Sequence, residues 1–206
     1  CSSDLFQTLG EKMFRVFDFS FIFVFLFIGC GSDFSEYDVL LDPKINQKSD
    51  QTMLVYEITG DPNLVGKEAF GALFKAFYSI KREYGLEMLA PKAQWPKLPD
   101  TPKHEWVGVY GLPVTSAVKK IPDALLKEYP KLRLETWQYG MVGEILHIGS
   151  YTSEGPTVKR LHNFIESQGY KISGNHEEEY LKGPGVFLRG NPDRYKTIIR
   201  YAIQKK

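Results

Sequence analysis

The spacing of apolar and polar positions changes at defined places along the chain, and each change marks an element. Thr52 to Ile58 is a run rich in β-formers, and Gly60-Asp61-Pro62-Asn63 after it is a turn cluster. From Gly66 to Tyr84 the apolar residues Phe70, Leu73, Phe74, Phe77 and Ile80 fall on one face of a helix that Gly85 ends. Pro91 to Pro102 carries four prolines and reads as a loop. Trp106 to Tyr110 reads as a short strand, and Ser116 to Tyr129 is helical in character but broken at Pro122. Leu132 to Tyr139 and Met141 to Ile148 are strands on either side of a turn at Gly140, which predicts a hairpin. Glu154 to Gln168 is the second clear helix, with Pro156 in its first turn, a buried stripe of Val158, Leu161 and Ile165, and a stop at Gly169. Glu177 to Leu181 and Thr197 to Ile203 are the last strands, separated by the Gly/Pro-rich loop from Gly183 to Pro192.

A weak internal repeat emerges. Val55 to Gly85 and Ile145 to Gly169 both read as strand, glycine turn, amphipathic helix, glycine stop, and strands follow each. Two such units side by side predict an α+β fold: tandem β-α-β-β repeats forming an antiparallel sheet with two main helices on one face.

The first 52 residues read differently. The first methionine is Met13, and Cys1 to Lys12 is set aside as an upstream extension. From Met13 a short segment with one cation, Arg15, leads into the apolar run Phe19 to Gly29 and then Cys30, the pattern of a secretory signal. That run is shorter than the roughly 20 apolar residues of a membrane-crossing helix. Leu26-Phe27-Ile28-Gly29-Cys30 resembles the bacterial lipobox, with Phe27 a departure from the usual Leu. The resemblance implies lipid attachment at Cys30 and a membrane-anchored lipoprotein on the periplasmic or outer-surface side of the cell envelope. An uncleaved anchor and plain secretion are the alternatives. The domain organisation expected is therefore extension and signal segment over 1–30, a polar linker with one possible strand (Glu36 to Leu41) over 31–52, and a folded domain over 53–206.

Composition narrows the partners. With 206 residues, 43% hydrophobic and 25% charged, the chain can bury a proper core, and its net charge of +1 carries no bulk footprint for nucleic acid. Both cysteines, Cys1 and Cys30, precede the domain, so it holds neither a disulfide framework nor a Cys-based zinc site. No His-Glu-x-x-His or other metal-ligand spacing occurs, so no metal site and no cofactor are expected. There is no nucleophile elbow, and Gly183-Pro184-Gly185 is a turn rather than a phosphate loop.

The second half resembles the GyrI-like small-molecule-binding family. The resemblance rests on Leu132-Arg133-Leu134-Glu135, on Glu144-Ile145-Leu146-His147-Ile148-Gly149-Ser150-Tyr151, on His176-Glu177-Glu178-Glu179-Tyr180-Leu181 and on Lys196-Thr197-Ile198-Ile199-Arg200. The first half adds Ile58-Thr59-Gly60-Asp61-Pro62-Asn63 and Phe77-Tyr78-Ser79-Ile80-Lys81, so the likeness covers about residues 53–205. Ser150 stands where many relatives have Pro. The resemblance implies a GyrI-like or SOUL-like architecture with a ligand cleft between the repeats and binding of drug-like or lipophilic molecules; a monomer is expected, because the hydrophobic run lies outside the periodic segments. It also implies a carboxylate inside the cleft, which transfers to Glu178. Some members are regulator domains and some hydrolyse strained electrophiles. A leader rather than a helix-turn-helix precedes the domain here, so no nucleic-acid partner is expected.

Strand alternation puts Glu178 and Tyr180 on one face and Glu177, Glu179 and Leu181 on the other. On Leu132 to Tyr139 it puts Arg133, Glu135, Trp137 and Tyr139 together. A carboxylate among aromatic rings suits a cationic or polarised apolar ligand. The candidate ligand contacts are Glu178, Tyr180, Trp137, Glu135, Tyr110 and Trp106. The plainer alternatives are a solvated edge for Glu177 to Glu179, ordinary sheet pairing of Glu135 with Arg133, core positions for Trp137 and Tyr139, and structural roles for His147 and His176. Three functions stay open. Small-molecule binding at the envelope is favoured over hydrolysis of an electrophile, with Glu178 as base and Tyr180 or Tyr151 as proton donor, and over a peptide-binding adaptor.

Overall fold

The computed structural model of the protein describes residues 34–96, 102–183 and 190–206. The signal segment and Cys30 lie outside them. Nine strands are described: Lys44–Lys48 (β1), Gln51–Thr59 (β2), Lys92–Trp95 (β3), Val107–Pro113 (β4), Leu132–Trp137 (β5), Gly140–Ile148 (β6), Tyr170–Ile172 (β7), His176–Lys182 (β8) and Lys196–Lys205 (β9). Three α-helices accompany them: Pro62–Tyr84 (α1), Asp123–Glu128 (α2) and Gly155–Ser167 (α3). The strands form one antiparallel sheet in the order β1-β6-β9-β8-β3-β4-β2-β5, with β7 paired to the end of β9.

The order exposes the repeat. β2-α1-β3-β4 and β6-α3-β8-β9 are the two β-α-β-β units, and they meet where β3 pairs with β8. Equivalent turns confirm the match. Gly60 after β2 and Gly149 after β6 have φ of 146° and 144°, a backbone that residues with a Cβ rarely adopt. The Gly60 N–H donates to the carbonyl of Trp106 before β4, and the Gly149 N–H to that of Tyr195 before β9. In this register the pair Ala93–Tyr110 of the first unit corresponds to Glu178–Ile199 of the second.

The helices form where capping and periodicity agree. Asp61 accepts the Asn63 N–H and Pro62 opens α1, while Gly85 closes it in the left-handed region. Ala69, Ala72, Leu73, Ala76, Phe77 and Ile80 on its inner face pack against Leu54, Tyr56 and Ile58 of β2 and Leu112 of β4. In the second unit Leu161 and Ile165 of α3 pack on Ile145, Ile199 and Tyr201. A Cβ on Gly143 would sit 2.6 Å from Ile165, so the bare glycine lets that side chain seat on the sheet.

Four local expectations change. Leu132 to Ile148 is not a hairpin: β5 pairs with β2 and β6 with β1 and β9, at opposite ends of the sheet. The strand leading into each unit thus pairs with the other unit, a long-range exchange that no local turn signal encodes. Glu36 to Leu41 is not a strand but a 3-10 turn over Ser35–Leu40, with Leu40 buried against Leu146, Leu181 and Ile198. The stretch expected as a linker therefore packs onto the domain from residue 34 and adds β1. The proline-rich loop contains β3, and the helical character of Ser116 to Tyr129 narrows to α2 after Pro122. Among the described residues, no helix is long and apolar enough to cross a membrane.

The face of the sheet away from the helices carries a buried ionic network. Arg200, 2% exposed, donates to Glu144 (2.7 Å), Glu177 (2.6 Å) and Glu179 (3.1 Å). Lys92 donates to Gln51 and Tyr139 and lies 3.5 Å from Glu179, and the Tyr139 hydroxyl donates to Glu177. Burial works against the charge on Arg200, but Glu179, Glu177 and Glu144 outweigh it and hold the guanidinium charged. A one-residue slip of β8 would carry these carboxylates to the other face, so the network pins its register.

Candidate functional site

α1 lies over β2 and β4, and α3 over β6 and β7, so the β3–β8 pair forms the floor between the helices. On this floor Glu178 faces Ala93, its own counterpart in the first repeat, and His176 faces Trp95. The small Ala93 side chain leaves one carboxylate where an exact repeat would place two.

Aromatic rings surround that carboxylate, meeting one another edge-on except for the tilted pair Tyr151–Tyr195. Trp106, Trp95, Tyr110 and Phe70 follow one another at centroid distances of 5.9, 5.7 and 5.1 Å. Phe70 meets Tyr180 (6.1 Å), Tyr180 meets Tyr151 (5.7 Å) and Tyr151 meets Tyr195 (5.4 Å). On the α3 side Tyr201 touches His162 (4.8 Å) and His176 (5.3 Å). Gly108 makes the Tyr110 position possible, because a Cβ there would come within 2.5 Å of the ring.

Glu178 is 12% exposed. The Tyr180 hydroxyl donates to its Oε2 at 2.7 Å, and His176 Nε2 lies 3.1 Å from its Oε1. His176 Nδ1 in turn lies 2.6 Å from the Tyr201 hydroxyl. Among the described residues no lysine or arginine pairs with Glu178; the basic side chain beside it is His176, charged only when protonated. Glu154, the residue before α3, is buried beside it at 7% exposure, and among the described residues its Oε1 has no hydrogen-bond partner. Burial, reinforced by the charge of Glu178, raises the Glu154 carboxyl well above the ordinary carboxylate range. Burial and then the Glu178 charge also raise Tyr110, Tyr180 and Tyr201, which remain phenols. Burial and the neighbouring His176 lower His162. The Trp95 Nε1, Tyr110 Oη, His162 Nε2 and Thr197 Oγ1 atoms are likewise buried without a partner among the described residues. Unpartnered polar atoms are unusual in folded interiors; four of these belong to residues whose rings or carboxyl surround Glu178.

The structure thus brings together Glu178, Tyr180, Tyr151, Tyr110 and, through Trp95, Trp106. It does not bring Trp137 or Glu135 to them. Trp137 is buried with Met53, Val55 and Val109 on the far face, and Glu135 pairs with Arg133 at 2.9 Å near the sheet edge. The solvated-edge alternative for Glu177 to Glu179 does not hold, since β8 is central and Glu177 lies in the Arg200 network. Sequence reading missed Glu154, Trp95, Phe70, His162 and Tyr201, and took His176 as structural. The short alternation His176-Glu177-Glu178 was the one signal that could have joined His176 to the site.

No protein-family model matches the sequence, and no curated protein matches it. Solved structures do share its fold. An uncharacterized conserved protein from Listeria innocua is 20% identical with a TM-score of 0.69, over 80% of this chain and 93% of that one. A hydrolase from Listeria innocua gives 20% identity and a TM-score of 0.66, over 80% and 92%. The C-terminal domain of EcmrR gives 10% identity and a TM-score of 0.55, over 80% and 98%. The architecture is the GyrI-like α+β fold that the sequence resemblance implies.

Proposed function

We propose that this chain is a cell-envelope protein that captures a lipophilic aromatic cation in the cleft over Glu178. The supporting observation is the setting of that carboxylate: removed from water, ringed by aromatic side chains, and paired with no lysine or arginine among the described residues. A buried charge is unfavourable unless an opposite charge meets it. A cation over aromatic faces gains about 0.5–2 kcal/mol, more as water leaves. A ligand both cationic and apolar satisfies the carboxylate and the rings together. The apolar run ending at Cys30 supports lipid anchoring at the envelope, which would hold the cleft at the membrane surface. Hydrolysis is a second reading, favoured by carboxyl oxygens of Glu154 and Glu178 within 4.8 Å, one able to carry a proton and the other to accept one. Turnover of an epoxide by the parent but not by Glu178→Gln would support it; equal rates would end it.

The binding reading is tested by titrating the protein with tetraphenylphosphonium and tetraphenylborate, ions of similar shape and opposite charge. The cation should bind at least about tenfold more tightly, a difference of about 1.4 kcal/mol. Equal affinity, or preference for the anion, would overturn the reading.

A further inference from the structure

Three donors converge on the floor between the helices from separate segments: Glu154 before α3, and His176 and Glu178 in β8. One oxygen or nitrogen from each lies within 4.8 Å of the others. No short sequence spacing links Glu154 to the pair, which is why no metal motif is visible in the chain. We infer that Glu154, His176 and Glu178 form a binding site for a divalent first-row transition ion.

Several features support the site. Glu154 is buried and, among the described residues, its Oε1 has no hydrogen-bond partner, so this carboxyl beside His176 and Glu178 keeps a donor oxygen unused. A first-row ion sits about 2.0–2.2 Å from nitrogen and oxygen donors, which holds adjacent donors about 3.0–3.5 Å apart. His176 Nε2 and Glu178 Oε1 already stand at 3.1 Å. The other imidazole nitrogen, Nδ1, is tied to the Tyr201 hydroxyl at 2.6 Å. Metal-binding histidines are oriented in this way, with one nitrogen on the metal and the other fixed by a hydrogen bond. The Tyr180 hydroxyl donates to Glu178 Oε2 and so leaves Oε1 for the ion.

The donor set limits the ion. One imidazole and two carboxylates suit zinc, manganese, iron, cobalt or nickel. Calcium takes six to eight oxygens and magnesium keeps an octahedral oxygen shell, for which three donors including a nitrogen are a poor match. Three protein donors leave coordination positions that water or a ligand can fill. The inference goes beyond the organic ligand proposed above but uses the same carboxylate, so the ion and an organic cation should exclude one another.

The test uses the full chain in a nonionic detergent, with Cys1→Ser and Cys30→Ser so that thiols supply no competing donors. Cobalt is titrated into chelator-treated protein by visible absorption, and zinc by competition with a chromogenic chelator. One equivalent should bind, its cobalt bands disappearing in Glu154→Gln and in His176→Gln. Binding should persist in His104→Gln, which removes an exposed histidine beside Glu105. Tyr201→Phe should weaken it by roughly tenfold to a hundredfold through loss of the orienting hydrogen bond. If the ligand variants lose their circular dichroism signal, zinc-edge absorption of the double-serine chain decides instead, with an imidazole and an oxygen shell expected. Absence of a bound equivalent, or an equivalent that survives His176→Gln in a folded chain, would overturn the inference. Tetraphenylphosphonium binding without metal binding would leave the organic-cation reading standing and remove this one; metal binding without tetraphenylphosphonium binding would do the reverse.

Discussion

Arg200→Met should be the most damaging single substitution on the far face of the sheet, and its pH dependence should identify the cause. Arg200 is 2% exposed and answers three carboxylates, Glu144, Glu177 and Glu179. Methionine keeps the apolar stem and removes the charge, leaving Lys92, 3.5 Å from Glu179, and the more distant Lys48 to face the three carboxylates. Removing one partner of a buried ion pair costs about 3–5 kcal/mol, a large share of the roughly 5–15 kcal/mol that holds a domain together. In the parent, burial pushes the Glu179 carboxyl upward, but Lys92 and Arg200 outweigh it and hold it below the ordinary carboxylate range. A carboxyl with a depressed folded pKa stabilises the fold above its unfolded value and loses that contribution as pH falls through the folded one. Without Arg200 its charge and its hydrogen bond to Glu179 are lost, two lysines face three buried carboxylates, and burial is expected to prevail, so that protonation favours the fold. Between pH 7 and pH 5.5 the parent should therefore hold steady while the variant gains stability, by up to about 1.4 kcal/mol per pH unit for each proton taken up. Urea unfolding followed by tryptophan fluorescence measures both. A loss under about 1 kcal/mol at pH 7, or parallel pH profiles, would refute the account of this network.

Other substitutions test separate parts of the structure. Gly108→Ala would place a Cβ 2.5 Å from the Tyr110 ring, so it should destabilise by about 1–3 kcal/mol and weaken ligand binding; unchanged affinity would remove Tyr110 from the site. Leu40→Ala should cost about 2–4 kcal/mol, because Leu40 is 6% exposed against Leu146, Leu181 and Ile198. A negligible change in the urea midpoint would return this segment to the status of a linker. Cys30→Ala should abolish labelling by an acyl analogue and release the protein from membranes, and unchanged fractionation would end the lipoprotein reading.

Much of this fold was legible because its determinants are local. The stripe Phe70 to Ile80, the turn glycines Gly60 and Gly149, and the alternation of Glu178 and Tyr180 against Glu177 and Leu181 are all visible in the chain. β3 was hidden because one of its faces is polar and still buried: Lys92 and Gln94 join the ionic network, so Lys-Ala-Gln-Trp between prolines shows no apolar alternation. The exchange of β1 and β5 between repeats was hidden because a two-strand pattern around Gly140 looks the same whether the strands pair or part. Alternation grouped Glu135 with Trp137 correctly, but which face of the sheet they join depends on the pairing of Met53 with Glu135. Glu154 reads in sequence as an ordinary acidic residue at a helix start. Its burial beside Glu178 arises only when α3 packs on β6.

The central claim is that the Glu178 charge draws the ligand into the cleft, and Glu178→Gln tests it most directly. Glutamine keeps the shape and can still hydrogen-bond to Tyr180 and His176, while the charge is gone. A charge-assisted contact of about 1–3 kcal/mol corresponds to a loss of roughly tenfold to a hundredfold in affinity for tetraphenylphosphonium. Fluorescence titration of parent and variant, with circular dichroism confirming the fold, should show that loss. Equal dissociation constants in two folded proteins would contradict the account.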